Sequence, residues 1–139
     1  MKALFSFRYI LVFLMLTAFG CEETILDQGF TIGREATFKV NQLYTSADGQ
    51  YTLKITEVSD SRCPEGVVCV WSGEVTIKGE FSEKGNKSLF EIHSVLSQTN
   101  VQPDGFTVKI VDAKPYPKYG TESKPEDLIV TLLIQKESD

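Results

Sequence analysis

The side chains best suited to chemistry lie close together, between Asp60 and Gly73. This stretch, DSRCPEGVVCVWSG, holds Cys63 and Cys69, and the only histidine of the chain is His93. A closed zinc site needs four ligands, and the five residues between the cysteines exceed the spacing of about two to four that zinc sites use. The spacing also differs from the Cys-x-x-Cys redox motif, and a single imidazole offers no recognisable Ser-His-Asp or Cys-His set. The sequence therefore predicts no metal and no other cofactor, and it favours a protein without catalytic activity.

A short hydrophobic leader opens the chain and ends at a cysteine. Residues 1–20 begin with two basic residues, continue with an apolar run of eleven residues from Tyr9 to Phe19, and end in a glycine before Cys21. The run is shorter than the ~20 residues that a spanning helix needs, and it predicts a cleaved signal peptide. Residues 17–21 resemble the cleavage region of a bacterial lipoprotein signal, which implies that Cys21 becomes the acylated first residue. The alternative is an ordinary secretion signal with an incidental cysteine.

Removing residues 1–20 leaves an acidic chain of single-domain size. The full chain has 139 residues and a net charge of −5, and loss of the leader with its two basic residues makes the charge −7. Because phosphates and acidic side chains repel each other, we expect no nucleic-acid partner. Residues 21–34 have no sustained hydrophobic period and contain two glycines, so we predict a lipidated tether there and a folded domain over residues 35–137.

The membrane is the expected anchor point of the mature chain. One acyl chain binds a bilayer only marginally, whereas two or more hold it stably, so a triacylated Cys21 would be retained. Glu22 and Glu23 resemble the acidic signals that send some lipoproteins of the Bacteroidota to the outer face of the outer membrane; plain linker acidity is the alternative. The expected location is the bacterial outer membrane, on its periplasmic or cell-surface face.

The elements that must position the candidate residues are strands. Apolar and polar residues alternate with a period of two in runs at 36–40, 51–55, 75–81 and 106–110, and further predicted strands lie at 89–96 and 128–134. The last run is nearly continuously apolar, which predicts a central strand covered on both faces. Asp48-Gly49 predicts a type I′ hairpin turn between the first two runs, and Gly85-Asn86 and residues 102–105 predict further turns.

No window shows helical spacing, so the fold class follows from the strands and turns alone. The pattern predicts an all-β chain, an antiparallel β-sandwich of immunoglobulin-like or related architecture. A small β-barrel is the alternative.

In an oxidising exported compartment, Cys63 and Cys69 are expected to form one disulfide. The closed ring has seven residues, and loop-closure entropy makes it worth roughly 2.4 kcal/mol, which is enough to shape a loop but not to hold the fold. Trp71 lies two residues beyond Cys69, so both are expected on one face of a strand, with the indole packed on the disulfide.

Two charged side chains flank this disulfide loop. Asp60 is expected to accept backbone N–H groups in an Asx turn, and Arg62 to pair with Asp60 or Glu65. A second interpretation is that Arg62, on a loop held by a disulfide, is presented to a protease as in small inhibitors. A third is that the disulfide, the indole and the Asx turn only stabilise the fold.

The stretch from Asp60 to Gly73 resembles a signature in a widespread group of small exported bacterial proteins, often lipoproteins and largely uncharacterised. Their pattern runs Asp-Ser-Arg-Cys-Pro, a short gap, Val, one residue, Cys, one residue, Trp, a small residue and Gly. Ser72 stands here where alanine is common. The resemblance implies an exported location and brings no activity with it.

A second segment, residues 113–126, also breaks the strand pattern. It reads AKPYPKYGTESKPE, with three prolines, three lysines, Tyr116 and Tyr119. Exposed aromatic residues on a stiff loop suit contact with a protein or a glycan. The alternative is that the prolines only shape a long connection while one tyrosine packs on the core.

These observations favour a membrane-anchored lipoprotein whose β-sandwich is a non-catalytic binding or accessory module at the bacterial cell envelope. Its expected partner is an envelope protein or a glycan, and the candidate contact residues are Arg62, Trp71, Tyr116 and Tyr119. The alternative is an exported protease inhibitor or ligand-binding protein that acts through residues 62–69. A small hydrolytic enzyme is the third and least favoured hypothesis.

Overall fold

The computed structural model describes residues 29–95, 105–121 and 123–137, and this part of the chain is built from β-strands. In chain order they are β1 (Gly29–Phe30), β2 (Glu35–Lys39), β3 (Leu43–Ser46), β4 (Tyr51–Asp60), β5 (Val75–Glu83), β6 (Asn86–His93), β7 (Phe106–Lys114) and β8 (Ile129–Lys136). A three-residue 3-10 turn, Pro125–Asp127, precedes β8. The leader, Cys21, Glu22, Glu23 and residues 102–104 of a predicted turn lie outside the described residues.

The strands form two sheets that pack on each other. One sheet has the order β1-β3-β4-β5-β6 and the other β2-β8-β7. Every ladder is antiparallel except the short pairing of β1 with β3. In the described part of the chain, an isolated bridge between Val40 and Ile55 is the only pairing across the sheets, so they do not close into a barrel. The predicted antiparallel β-sandwich is confirmed, and the barrel alternative is wrong.

A single apolar core fills the space between the sheets. Side chains from both sheets belong to one buried cluster, which includes Phe38, Leu53, Ile77, Phe81, Phe106, Val130, Leu132 and Ile134. Phe106 of one sheet lies with its ring centroid 5.1 Å from both Tyr51 and Phe81 of the other. The side chains that make these contacts between the sheets belong to the apolar strand faces that the sequence pattern predicts.

The last strand, β8, is central in its sheet but covered on only one face. It pairs with β2 on one side and β7 on the other, as its apolar sequence predicts. Val130, Leu132 and Ile134 are buried, whereas Ile129 is exposed and Leu133 is half-buried. The predicted coverage on both faces is therefore wrong, because no layer lies outside the three-stranded sheet in the described residues.

The first hairpin forms with a different partner strand from the one predicted. Asp48-Gly49 does join two strands, but β4 pairs with β3, while residues 35–39 pair with β8 in the opposite sheet. Asn41, with φ at 62°, turns the chain between β2 and β3, and the Tyr44 hydroxyl accepts a hydrogen bond from the Lys39 amide at 2.9 Å. The change of sheet thus occurs in a turn that the hydrophobic period does not mark.

The turns themselves differ in detail from the predictions. Gly49 has positive φ and Asp48 does not, so the β3–β4 turn is not type I′. The next turn is centred one residue earlier than predicted, on Lys84 and Gly85, which both have positive φ and connect the paired residues Glu83 and Asn86.

The folded domain begins before residue 35. Gly29 and Phe30 pair with Thr45 and Ser46, and Phe30 is only 3% exposed in the core. The predicted tether over residues 21–34 is therefore too long at its C-terminal end. The apolar residues of this segment are too few to show a period, although Phe30 packs on the core.

A bulge in β4 decides which way its last residues point. Before it, Tyr51, Leu53 and Ile55 face the core; the register shifts between Ile55 and Glu57, and Val58 is then buried. Without the extra residue, Val58 and Asp60 would lie on the outer face, because side chains alternate along a strand. The bulge thus turns the Asp60 carboxylate towards the inner face, where β4 ends and the candidate site begins.

Candidate functional site

Two irregular loops meet at one end of the sandwich. The first is the motif loop (residues 61–74), which joins β4 to β5. The ladder between these two strands ends at the pair Asp60 and Val75. The second, the proline loop (residues 115–121), follows β7 and starts with a cis peptide bond at Pro115. Together they form the loop end, where the two segments that break the strand pattern come together.

The base of the motif loop is held by hydrogen bonds and a disulfide. The Ser61 amide donates to the Glu74 carbonyl at 2.8 Å, and the Cys63 amide donates to the Ser72 carbonyl at 2.8 Å. Cys63 and Cys69 are disulfide-bonded with their Cα atoms 5.9 Å apart, which confirms the predicted bridge. Gly66 at the tip has φ at 91°, a conformation that glycine adopts without strain.

Asp60 and Arg62 form the most buried ion pair of the described residues. Arg62 donates to the Asp60 carboxylate from Nε at 2.8 Å and from Nη2 at 2.6 Å, and the side chains are 14% and 7% exposed. The Arg62 amide also donates to Asp60 Oδ1 at 3.1 Å, which is the predicted Asx turn. This two-point contact fixes the guanidinium and raises the pKa of Arg62 through the Asp60 hydrogen bonds.

The same guanidinium reaches the proline loop. Arg62 Nη2 donates to the Pro115 carbonyl at 3.4 Å, and the guanidinium carbon lies 4.4 Å from the centroid of the Tyr116 ring. A cation over an aromatic face at this distance is attracted by the ring. Arg62 therefore joins the two loops and is not a freely presented side chain.

A second contact joins the loops through their backbones. The Glu65 amide donates to the Pro117 carbonyl at 2.9 Å, and the Tyr119 amide donates to the Glu65 carbonyl at 3.3 Å. The loops are thus connected at two places, one on each side of Cys63 in the chain. Such bracing limits the motion of the motif loop relative to the sandwich.

The braced loops expose several large apolar side chains. Val68 and Val70 are fully exposed, Trp71 is 73% exposed, and Tyr119 is 76% exposed. The predicted packing of Trp71 against the disulfide in the core is wrong. Trp71 is exposed because residues 61–74 lie beyond the last β4–β5 pair, where no second sheet of the described residues covers them.

Side chains alternate along the most exposed part of the motif loop. Val68 and Val70 project into solvent, while Cys69 between them is tied to Cys63. No backbone N–H of residues 66–71 donates a hydrogen bond within the described part of the chain. The segment therefore offers both unpaired backbone groups and two outward aliphatic side chains to a partner.

An open groove of about 550 Å³ lies beside the loop end. Its walls come from the bulged part of β4, from the chain after β2 and from the region of the 3-10 turn, and include Thr56, Ser59, Val40, Pro117 and Leu128. The volume falls in the range of small-molecule sites, but the lining mixes polar and apolar groups without a cluster of converging side chains.

His93 lies beside the C-terminal end of the motif loop and contacts polar neighbours. Its Nδ1 is 3.1 Å from Thr76 Oγ1 and 3.4 Å from Glu74 Oε1, and its Nε2 is 3.7 Å from Glu91 Oε1. Across residues 29–95, 105–121 and 123–137, no three His, Cys, Asp or Glu side chains are arranged to hold a metal. Within the same ranges, no helix is long and apolar enough to cross a bilayer.

Of the four candidate contact residues, the structure brings two side chains into contact with each other and leaves the other two exposed. Arg62 is tied to Asp60, Tyr116 packs under Arg62, and Tyr119 and Trp71 are presented to solvent. Sequence reasoning missed Val68 and Val70, although two aliphatic residues flanking a disulfide cysteine in an irregular segment were a usable signal. Comparison with protein-family models, curated proteins and solved structures finds no match for this chain.

Proposed function

We propose that this protein is a non-catalytic binding module, held at the bacterial cell envelope by lipid on Cys21, and that it contacts a partner protein through the loop end. The observation that carries the proposal is the full exposure of Val68 and Val70 on a loop that is braced at several points. Exposed apolar side chains that are grouped into a patch mark protein interaction sites, and a loop fixed before binding loses less entropy when it binds.

The partner's chemistry follows from the exposed side chains. Aliphatic groups such as Val68 and Val70 fit apolar pockets of a protein, whereas glycan binding relies on polar groups and flat aromatic surfaces. Trp71 and Tyr119 are residue types enriched at protein interfaces, and both are presented beside the valines in the chain or on the facing loop. A protein partner is therefore favoured over a glycan.

The position of Gly29 supports a loop end that faces away from the membrane. Gly29 pairs with Thr45, and Thr45 pairs with Thr52 on β4. Asp60 lies eight residues after Thr52 on the same strand, which places it about 26 Å from Thr52 at the rise of a strand. Cys21 lies eight residues before Gly29, a chain that spans at most about 29 Å. The lipid could reach as far as Asp60 only if the tether were fully extended along the domain. The motif loop lies beyond Asp60.

Anchoring and binding are tested separately. Cys21→Ser should move the protein from the membrane fraction to the soluble fraction and abolish metabolic labelling with an alkyne fatty acid. Membrane retention of unlabelled Cys21→Ser would contradict the lipid anchor.

Binding is tested with a charge placed at the most exposed position. Val70→Asp should abolish stoichiometric co-purification of the partner after mild crosslinking, whereas Leu89→Asp, at a 77% exposed site on β6, should not. Equal co-purification with wild type, Val70→Asp and Leu89→Asp would refute binding through the loop end. Matching circular dichroism spectra are the control for folding.

A further inference from the structure

We infer that the motif loop binds in the substrate cleft of a serine protease whose S1 pocket accepts small aliphatic side chains, with Val70 as the side chain that enters the pocket. The inference rests on the proposed role of the loop end as a protein-binding surface, and it names the partner class. The protein would then act as an exported inhibitor of elastase-type enzymes.

Backbone N–H groups of the motif loop are available to a protease cleft. Proteases bind inhibitors and substrates as an added strand, in which main-chain groups pair with the enzyme and alternate side chains enter pockets. Residues 66–71 donate no backbone N–H hydrogen bond within the described chain, so these groups are available. Val68 and Val70 project outwards on either side of Cys69, which the disulfide ties to the protein's own body.

Val70 is the better held of the two valines. On its N-terminal side, Cys69 is fixed by the disulfide; on its C-terminal side, the Ser72 carbonyl accepts a hydrogen bond from the Cys63 amide at 2.8 Å. Cys69 and Ser72 are both held by Cys63, and Val70 and Trp71 are the two residues between them. Val68 is held by Cys69 on one side, but on the other side two residues, Gly66 and Val67, separate it from the braced Glu65.

The residue types select the protease class. Arg62, which would suit a trypsin-like enzyme, is held by Asp60 at 2.6 Å and packs over Tyr116. A valine is too short for the deep apolar slot of chymotrypsin-like enzymes and fits the small S1 pocket of elastase-like ones. The exposed aliphatic residue therefore predicts a different target from the one that the sequence position of Arg62 suggests.

The test measures inhibition of two proteases and asks whether a substitution at Val70 changes which of them is inhibited. The full chain, purified from membranes in detergent, is titrated against pancreatic elastase and trypsin with chromogenic peptide substrates. Wild type should inhibit elastase and leave trypsin active, and Val70→Asp should raise the inhibition constant for elastase by at least about 30-fold, because a carboxylate cannot enter the small apolar pocket.

Val70→Arg gives the most decisive test, because its assay against trypsin does not require the natural target to be known. This variant should lose elastase inhibition and gain trypsin inhibition, whereas Leu89→Arg, with a new arginine on β6, should change neither. A folded Val70→Arg that inhibits no trypsin, or wild type that elastase cleaves after Val70 without being inhibited, would overturn the inference. If those assays fail while Val70→Asp still abolishes partner co-purification, the inference falls and the proposed function stands; if both fail, both fall.

Discussion

Removal of the Asp60 carboxylate tests whether the ion pair braces the loop end. Asp60→Ala deletes three hydrogen bonds, from Arg62 Nε, Nη2 and the Arg62 amide. The guanidinium keeps the Pro115 carbonyl and the Tyr116 ring as contacts and the more distant Asp112 carboxylate as an electrostatic partner. The variant therefore leaves a cation that is 14% exposed without its counter-ion.

The expected loss of stability follows from that burial. Breaking a fully buried pair by removing one partner costs about 3–5 kcal/mol. The residual exposure of Arg62 and its remaining contacts reduce this, so we expect about 2–4 kcal/mol for Asp60→Ala. The control is Glu57→Ala, whose pair with Lys78 is 3.4 Å long with side chains 43% and 61% exposed, and it should cost less than about 0.5 kcal/mol.

Urea denaturation with the disulfide intact measures both variants. For a slope of about 1.5 kcal/mol per M, the midpoint of Asp60→Ala should fall by about 1.3–2.7 M. Adding Arg62→Met should recover part of the loss, because the unpaired charge is then gone. The reasoning is refuted if Asp60→Ala costs no more than Glu57→Ala, or if the double variant is less stable than Asp60→Ala alone.

Three further changes have predictable outcomes. Replacing Cys63 and Cys69 by serine should lower the free energy of unfolding by about 2.4 kcal/mol, and a far-UV spectrum that loses its β signal would contradict the minor role of the bridge. Gly73→Ala should cost more than about 2 kcal/mol, since φ is 69° and a Cβ would lie 1.8 Å from a backbone oxygen; a smaller loss in thermal denaturation would show that the loop base adapts. The hydrogen bond from Ser46 lowers the pKa of Asp48 below 3.8, so its stabilising effect is complete above pH 3.8 and disappears as the pH falls through the lowered value. The stability gap between wild type and Asp48→Asn should therefore narrow below pH 3.8, and a gap independent of pH would exclude the linkage.

Six of the eight strands in the described residues could be predicted because each presents an apolar face to the core, whereas β1 and β3 carry no such run and were missed. Phe38, Leu53, Ile77 and Val108 stand in period-two runs, Leu132 stands in the nearly continuous apolar run, and all five lie in the core. Burial against a single facing layer leaves this pattern in the sequence whatever the strand order is. The order itself could not be read, because the pattern of 36–40 fits either sheet and the turn at Asn41 decides between them.

The candidate site was predictable only where its contacts are local. Asp60 and Arg62 are two residues apart, so Asp60 was one of the two partners predicted for Arg62, with Glu65 as the other. The contact of Arg62 with Tyr116 joins segments far apart in sequence, and neither residue carries a signal for the other. Trp71 was misplaced because an indole beside a disulfide favours burial, while the point at which β4 and β5 stop pairing is set by tertiary structure.

Site-specific photocrosslinking in the producing bacterium tests most directly whether the loop end is the binding surface. A photoreactive amino acid is introduced in place of Val70 or, as control, of Leu89, and both proteins are irradiated in intact cells. We expect one discrete adduct from position 70 that is absent from position 89. Identical adducts at both positions, or no adduct at position 70 in a correctly anchored and folded protein, would contradict binding through the loop end.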